Sequence, residues 1–390
     1  MKAQMTPRER VMATLNHEEP DRVPLDLGQA AGDGIITYTY RKLVRQLGLG
    51  DRPMRMAKRD VLAVDVDEDV LRRFSIDFRA VRMGTPDSCP DRTLPNDSYI
   101  DQWGVVRTRP PQGYYYDITK SPFAKDGTIS AIAQHSWPDP HDPGRYREVR
   151  EKAWRIRKET EYAIVVDIDC SFFIDCACLR GFENFFSDLL INVDFAEALM
   201  DQYLAIKLAM AERMLEEAGE FADVVIVSRD DLGSTSGTII SPQLYRSLIW
   251  PRQKKTFDFF ESRVSAKRFY HCDGAIYPLI DDFVELGVDI LNPIQVSAKD
   301  MGDTAKLKDE FGDKLTFWGG IDTNYVLPYG SPDAVREEVR RRILDMAIGG
   351  GYVLCSVHNI QPDVPAENVV AMFDAGLEFG RYSSTNFASQ

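Results

Sequence analysis

The sequence predicts an α/β protein built as a (β/α)8 TIM barrel, with an N-terminal extension and a long insertion near 84–145. Three observations lead there. Short apolar runs bounded by turn residues recur eight times, at 22–26, 76–82, 162–169, 223–229, 267–272, 288–292, 315–319 and 352–356. Helical periodicity fills the intervals, so strands alternate with helices. The stretch from Lys267 to Gln295 shows the unit most plainly. A strand ends at turn residues Asp273 and Gly274, Pro278 opens a helix, Gly287 stops it, and strand 288–292 follows.

The elements follow in order. Thr6 caps a helix with Pro7 in its first turn and Glu9 at the capping-box position, ending near Asn16. Strand 22–26 ends in the carboxylate of Asp26, and helices are expected at 38–47 and 64–74. Between 84 and 145 periodicity is lost while prolines, aspartates and aromatics accumulate. There, 99–108 and 114–118 are expected to form a hairpin around the turn 110–113, and the insertion is either a lid on the pocket or a solvated excursion. Regular alternation resumes with helix 146–160. Further helices are expected at 183–186, 194–218, 242–262 (bent at Pro251), 303–311 and 332–348, with a last one from Pro365. The whole of 1–390 is expected to be a single domain.

Bulk properties narrow the function. A formal net charge of −14 argues against a nucleic-acid or anionic-membrane partner. No apolar run approaches the roughly 18–20 residues that span a bilayer. The start Met1-Lys-Ala-Gln-Met has no apolar signal core, so a cytoplasmic protein is expected. Six cysteines spread over 390 residues make no disulfide framework. No glycine-rich nucleotide loop follows any strand, and Gly349-Gly-Gly351 is read as a helix end.

Barrel chemistry gathers at the C-terminal tips of the strands. That rule collects Asp26, Asp169, Asp230, Asp231, His271, Asp273, Asn292, Gln295, Asp322, Cys355 and His358 into one carboxylate-rich mouth. On extended backbone His271 and Asp273 face the same way and Cys272 the other. With His358 they supply three N/O ligands and leave an open position, the pattern of a catalytic zinc site. Cys272 and Cys355 are rival ligands, Cys355 being read first as a packed core residue. The Cys170, Cys176 and Cys178 group reads as a packed segment.

Asp230-Asp-Leu-Gly-Ser-Thr, Ile240-Ser-Pro-Gln-Leu-Tyr-Arg-Ser-Leu-Ile-Trp-Pro251, the His271 stretch with Gly287–Gln295, Phe317-Trp-Gly-Gly-Ile-Asp322 and 349–368 together resemble the uroporphyrinogen decarboxylase-like superfamily. Within it the chain is most similar to cobalamin-dependent (corrinoid) methyltransferases, including those that demethylate methoxylated aromatics. The resemblance implies a (β/α)8 barrel, a zinc or other divalent metal, cobalamin carried by a partner corrinoid protein, a small methyl donor, and a homodimer. Two departures stand out. Leu25-Asp-Leu-Gly-Gln-Ala-Ala-Gly lacks the arginines that hold propionates in true uroporphyrinogen decarboxylases. The His-x-Cys and later Cys of the methyltransferases become His271-x-Asp273 and His358, a harder N/O set suited to ether or alkoxide oxygen.

The expected activity is therefore demethylation of a small methoxylated aromatic, the methyl group passing to a corrinoid protein. His271, Asp273 and His358 would hold the metal, and Asp230 or Asp231 would manage a proton. Asp26, Asn292, Gln295 and Tyr115 are the expected substrate contacts, with Trp103 and Tyr114–Tyr116 either stacking on a ring or packing in the core. Two alternatives stand beside it: a cofactor-free decarboxylase or lyase, which a basic carboxylate-binding pocket would favour, and a non-catalytic binding homologue.

Overall fold

The computed structural model describes residues 4–30 and 34–382. Seven strands form one parallel sheet in the order Phe78–Arg82, Ala163–Asp167, Val224–Ser228, Lys267–His271, Ile290–Asn292, Thr316–Ile321, Tyr352–Ser356. The predicted strand 22–26 supplies the eighth stave. Leu25 bridges Leu354 in parallel, and on its other side the Leu25 carbonyl accepts the Asp77 N–H at 3.1 Å. Pro24 has no N–H to give the ladder, so this stave is reduced to a bridge between the two sheet edges. The sheet closes into a (β/α)8 barrel.

Strand parity sorts the core into two layers. Ala163, Val165, Val224, Ile226, Val353 and Cys355 point to the barrel axis, where Phe78, Phe269, Ile290 and Trp318 fill the interior. Their neighbours Ile164, Val166, Val225, Val227 and Leu354 face the helices. Phe78 and Phe269 lie against Trp318 with ring centroids 4.4 and 5.3 Å away.

The N-terminal extension belongs to this inner layer. Helix Pro7–Leu15 starts on the expected capping box, the Glu9 N–H donating to Thr6 Oγ1 and the Thr6 N–H to Glu9 Oε2. It adds Val11 and Leu15 to the interior cluster. Beside it Asp77, fully buried, takes Arg10 at 2.7 Å, Arg22 at 2.8 Å and the Leu25 N–H at 2.9 Å.

Most helices fall where periodicity placed them. The bend expected at Pro251 is a π turn, Tyr245–Ile249, which leads into helix Trp250–Glu261 and avoids the missing N–H of the proline. Gly287 has the expected left-handed backbone, φ +89°. Helix 64–74 is shorter, Glu68–Arg73, because Ala63–Val64 pairs with Met56–Lys58 as a small hairpin.

The insertion is more ordered than its composition indicates. It holds a four-stranded antiparallel sheet of Arg92–Leu94, Ser98–Ile100, Val106–Thr108 and Asp117–Lys120. The stretch 99–108, expected as one strand, therefore folds back on itself at residues 101–105. Trp103, partly buried, packs against Tyr203 at 4.3 Å and stands edge-on to Trp137.

Candidate active site

His271 is the last residue of strand Lys267–His271, and Asp273 follows it on the same side. Asp231 arrives from the loop after Val224–Ser228. Glycines make that meeting possible. A Cβ on Gly274, at φ +94°, would lie 2.3 Å from the Gly233 carbonyl carbon, so the two loops pack backbone on backbone. The Asp273 N–H then donates to Asp231 Oδ1 at 3.0 Å and the Ala275 N–H to the Ser234 carbonyl at 2.7 Å.

His271 Nε2 stands 3.8 Å from Asp231 Oδ1 and 3.6 Å from Asp273 Oδ2. One ligand atom from each of the three residues lies within 4.8 Å of the others. His358 occupies the outer side, 41% exposed, its Nε2 3.9 Å from Asp273 Oδ2. The tight donor group among the described residues is thus Asp231, His271 and Asp273, with Asp231 where the sequence reading had placed His358.

The imidazole is fixed from behind. Asn292 donates its amide to the Trp318 carbonyl at 2.9 Å, which turns its oxygen to His271 Nδ1 at 2.5 Å. Nδ1 therefore carries the hydrogen and Nε2 faces the carboxylates. Burial disfavours the imidazolium, but Asp273 and then Asp231 outweigh it and raise His271 to about 9. Burial also opposes charge on Asp273, yet His271 holds it below the usual carboxylate range. Asp231 moves upward, from burial and then from Asp273 beside it.

A small divalent ion fits these residues. Asp273 Oδ1 is buried and has no hydrogen-bond partner among the described residues. Separations of 3.6 and 3.8 Å are too long for hydrogen bonds. They approach the roughly 3.3 Å between ligand atoms that 2.0–2.1 Å bonds in a tetrahedral zinc site would give. Asn292→Ala is expected to weaken zinc binding about 10- to 100-fold by freeing the ring, measured by competition with a chromophoric chelator.

The other expected residues have different work. Asp230 is fully buried and turned inward, where its carboxylate accepts the N–H groups of Phe172, Phe173 and Ile174 at the start of helix Phe173–Arg180. It is not brought to the donor cluster. Asp26 accepts the N–H groups of Gln29 and Ala30 and shapes the loop whose Gly28 and Ala30 line the cavity. Gln295 Oε1 accepts the Gly274 N–H at 2.8 Å. The Tyr115 hydroxyl meets Gln361, which in turn lies 3.4 Å from His358 Nδ1, so Tyr115 acts at one remove. Cys272 is buried and takes the Leu232 N–H on its sulfur, facing away as parity required. Cys355 lies in the interior core.

Burial raises Asp26 to about 6, more than the N–H groups of Ala30 and Gln29 lower it. The folded state therefore favours the neutral acid, a contribution complete below about 3.8 and lost as pH rises through about 6. Asp26→Asn stays neutral throughout. The stability of the wild type relative to this variant is expected to fall by roughly 2 kcal/mol between about pH 4 and pH 7, read from urea unfolding at each pH.

A cavity of about 450 Å³ opens on this cluster, within the range of small-molecule pockets. Its wall includes Asp231, His271, Asp273 and His358, the hairpin residues Ala57, Lys58 and Ala63, and a charged sector of which the sequence analysis had named only Asp169. That sector is Arg82, Asp167, Asp169, Arg229 and Lys207. Arg82 and Asp167 end their strands and Arg229 follows its own, so the strand-tip rule that collected the carboxylates would have found them too. No residue of the insertion lines the cavity; instead it braces the hairpin, the Tyr116 N–H donating to the Asp60 carbonyl and Tyr99 receiving the Arg59 guanidinium at 4.1 Å.

A closed (β/α)8 barrel with a His/Asp donor set and a ligand-sized cavity at its strand tips defines the structural class. The chain belongs to the uroporphyrinogen decarboxylase (URO-D) family, whose profile matches residues 115–379, more than half of the chain. A uroporphyrinogen decarboxylase of Legionella pneumophila is 22% identical over 375 residues, 93% of this chain and 95% of the relative. The methylcobamide:CoM methyltransferase MtaA of Methanosarcina barkeri is 27% identical over 202 residues. That match covers 52% of this chain and about half (54%) of the relative's length. A solved structure, a methyltransferase from Methanosarcina mazei, superposes with a TM-score of 0.67 at 19% identity, covering 96% of this chain and 99% of its own, and shares the fold. No helix among the described residues is long and apolar enough to cross a membrane.

Proposed function

We propose that this protein is a methyltransferase that demethylates a small methoxylated, aromatic substrate and passes the methyl group to the cobalamin of a partner corrinoid protein. The observation that carries the reading is the Asp231–His271–Asp273 donor group with the orphaned, buried Asp273 Oδ1. The similarity to a methylcobamide methyltransferase supports it. Asp231, His271 and Asp273 would hold zinc or another divalent ion, with His358 at the rim. Bound there, the ion supplies Lewis acidity toward the substrate oxygen.

The chain's own residues do the rest. Asn292 holds the His271 ring in one orientation, and the Gly233–Gly274 contact keeps the carboxylates at a fixed separation. The cavity walls orient the methoxy carbon toward the open mouth, where a corrinoid protein would dock. In the reaction the methyl–oxygen bond breaks, the oxygen keeps the electron pair and is protonated, and the methyl group goes to reduced cobalt. His358, half-exposed at the rim and 3.9 Å from Asp273, would pass that proton from solvent.

The test is to mix the zinc-loaded protein with cob(I)alamin and a set of methoxylated aromatics under anaerobic conditions. The expected result is the methylcobalamin spectrum together with the demethylated phenol. A second reading, a cofactor-free decarboxylase, is favoured by the Arg82–Lys207–Arg229 sector. It predicts carbon dioxide release from a carboxylated substrate by the chelator-treated protein and no methylcobalamin.

A further inference from the structure

The cavity holds one recognition group that the donor cluster does not use. Lys207 sits within helix Val193–Ala218, where a lysine would ordinarily face water, yet its side chain is only 11% exposed and lines the cavity. An ammonium carries three donors. The nearest carboxylate oxygen, Asp169 Oδ2, is 3.9 Å from Nζ, beyond hydrogen-bond distance, and among the described residues no other acceptor meets it.

Of its cationic neighbours, Lys58 is 59% exposed and 4.0 Å from Asp60, and the two arginines are already engaged. Arg229 donates to Asp167 Oδ1 at 2.6 Å and pairs with Asp169 Oδ2 at 3.0 Å. Arg82 donates to the Gly28 carbonyl at 2.6 Å and lies 3.5 Å from Asp167. The acceptor deficit therefore falls on Lys207. Four cations, Lys58, Arg82, Lys207 and Arg229, stand against Asp167 and Asp169 in this part of the wall, a net positive sector that suits an anion. Behind them Asp175 takes the Tyr203 hydroxyl at 3.0 Å, and burial pushes its carboxyl up.

We propose that the substrate carries a carboxylate, bound by Lys207 with Arg229 beside it, in the sector of the cavity next to the donor cluster. The proposal rests on the methyl-transfer reading only for the group at the cluster end. A molecule that spans both sectors is anchored through its carboxylate while its methoxy oxygen reaches the mouth of Asp231, His271 and Asp273. Lys207 is then a specificity-determining residue, and shape-matched neutral compounds bind without that anchor.

The experiment is calorimetric titration of the full-length, metal-free protein with acetate, benzoate and ortho-, meta- and para-methoxybenzoate, each beside its neutral amide. At least one carboxylate is expected to bind roughly ten- to a hundredfold more tightly than its amide. Lys207→Met should abolish that preference and Lys207→Arg should keep part of it. The wild-type comparison stands even where the Met variant folds poorly. No carboxylate preference in any pair, or a preference that survives in a folded Lys207→Met protein, overturns the proposal. The two readings fail separately. A lysine-dependent preference without methyl transfer upholds the anion site and removes the methyltransferase, and equal methyl transfer from acids and amides does the reverse.

Discussion

His271→Ala is expected to reduce methyl transfer to cob(I)alamin by roughly a thousandfold or more, the several kcal/mol that a Lewis acid supplies at a reacting oxygen. The ring is the one nitrogen donor in the tight cluster, and its loss leaves Asp231 and Asp273 without the imidazole between them. The lost imidazole is buried and leans on Asn292, so the variant should stay folded with a small cavity at the strand tip. The check is the initial rate at saturating substrate beside a circular dichroism spectrum. A folded variant with more than about a tenth of the wild-type rate would show that His271 does not hold the catalytic group.

Asp77→Ala is the largest expected effect on stability, a loss of about 3–5 kcal/mol. The wild-type carboxylate is 0% exposed and neutralises Arg10 and Arg22, whose side chains are 5% and 12% exposed. It also accepts the Leu25 N–H and so pins the weakest stave of the barrel. Removing it leaves Arg10 with Asp21 alone and takes from the partly buried Arg22 its carboxylate, where the N-terminal helix meets the sheet. Guanidinium unfolding should show a lower midpoint at unchanged slope. A shift worth under about 1 kcal/mol would mean that Asp21, which also binds Arg10, carries the junction alone.

The barrel was legible because its signal is repeated and local. Each stave is an apolar run with turn residues at its ends, and strand parity alone put His271 and Asp273 together with Cys272 behind them. Helix Phe173–Arg180 was not legible. Its N-terminus carries no local cap, since Asp230 reaches it from 58 residues away, and the apolar Phe172-Phe173-Ile174 hid the turn. The same contact explains why Asp230 was expected at the mouth: nothing in Asp230-Asp231 tells which carboxylate turns inward.

The site was legible in type and less so in membership. Asp231 joins the donor group because Gly233 and Gly274 let two loops touch, a tertiary contact with no local pattern. Lys207 was invisible for the opposite reason: a lysine within a long helix has a solvated reading by default, and only the folded barrel shows it against a cavity. The insertion drew attention by its composition, yet the short hairpin from Met56 to Val64 is what reaches the pocket.

The central claim is that an ion sits among Asp231, His271 and Asp273. The most direct measurement is elemental analysis of the purified protein, wild type beside Asp231→Ala, His271→Ala and His358→Ala, before and after reconstitution with zinc. The predicted result is about one ion per chain in the wild type, lost in the Asp231 and His271 variants and weakened in the His358 variant. A wild type that takes up no divalent metal after reconstitution, or an ion retained when both Asp231 and His271 are replaced, would contradict it.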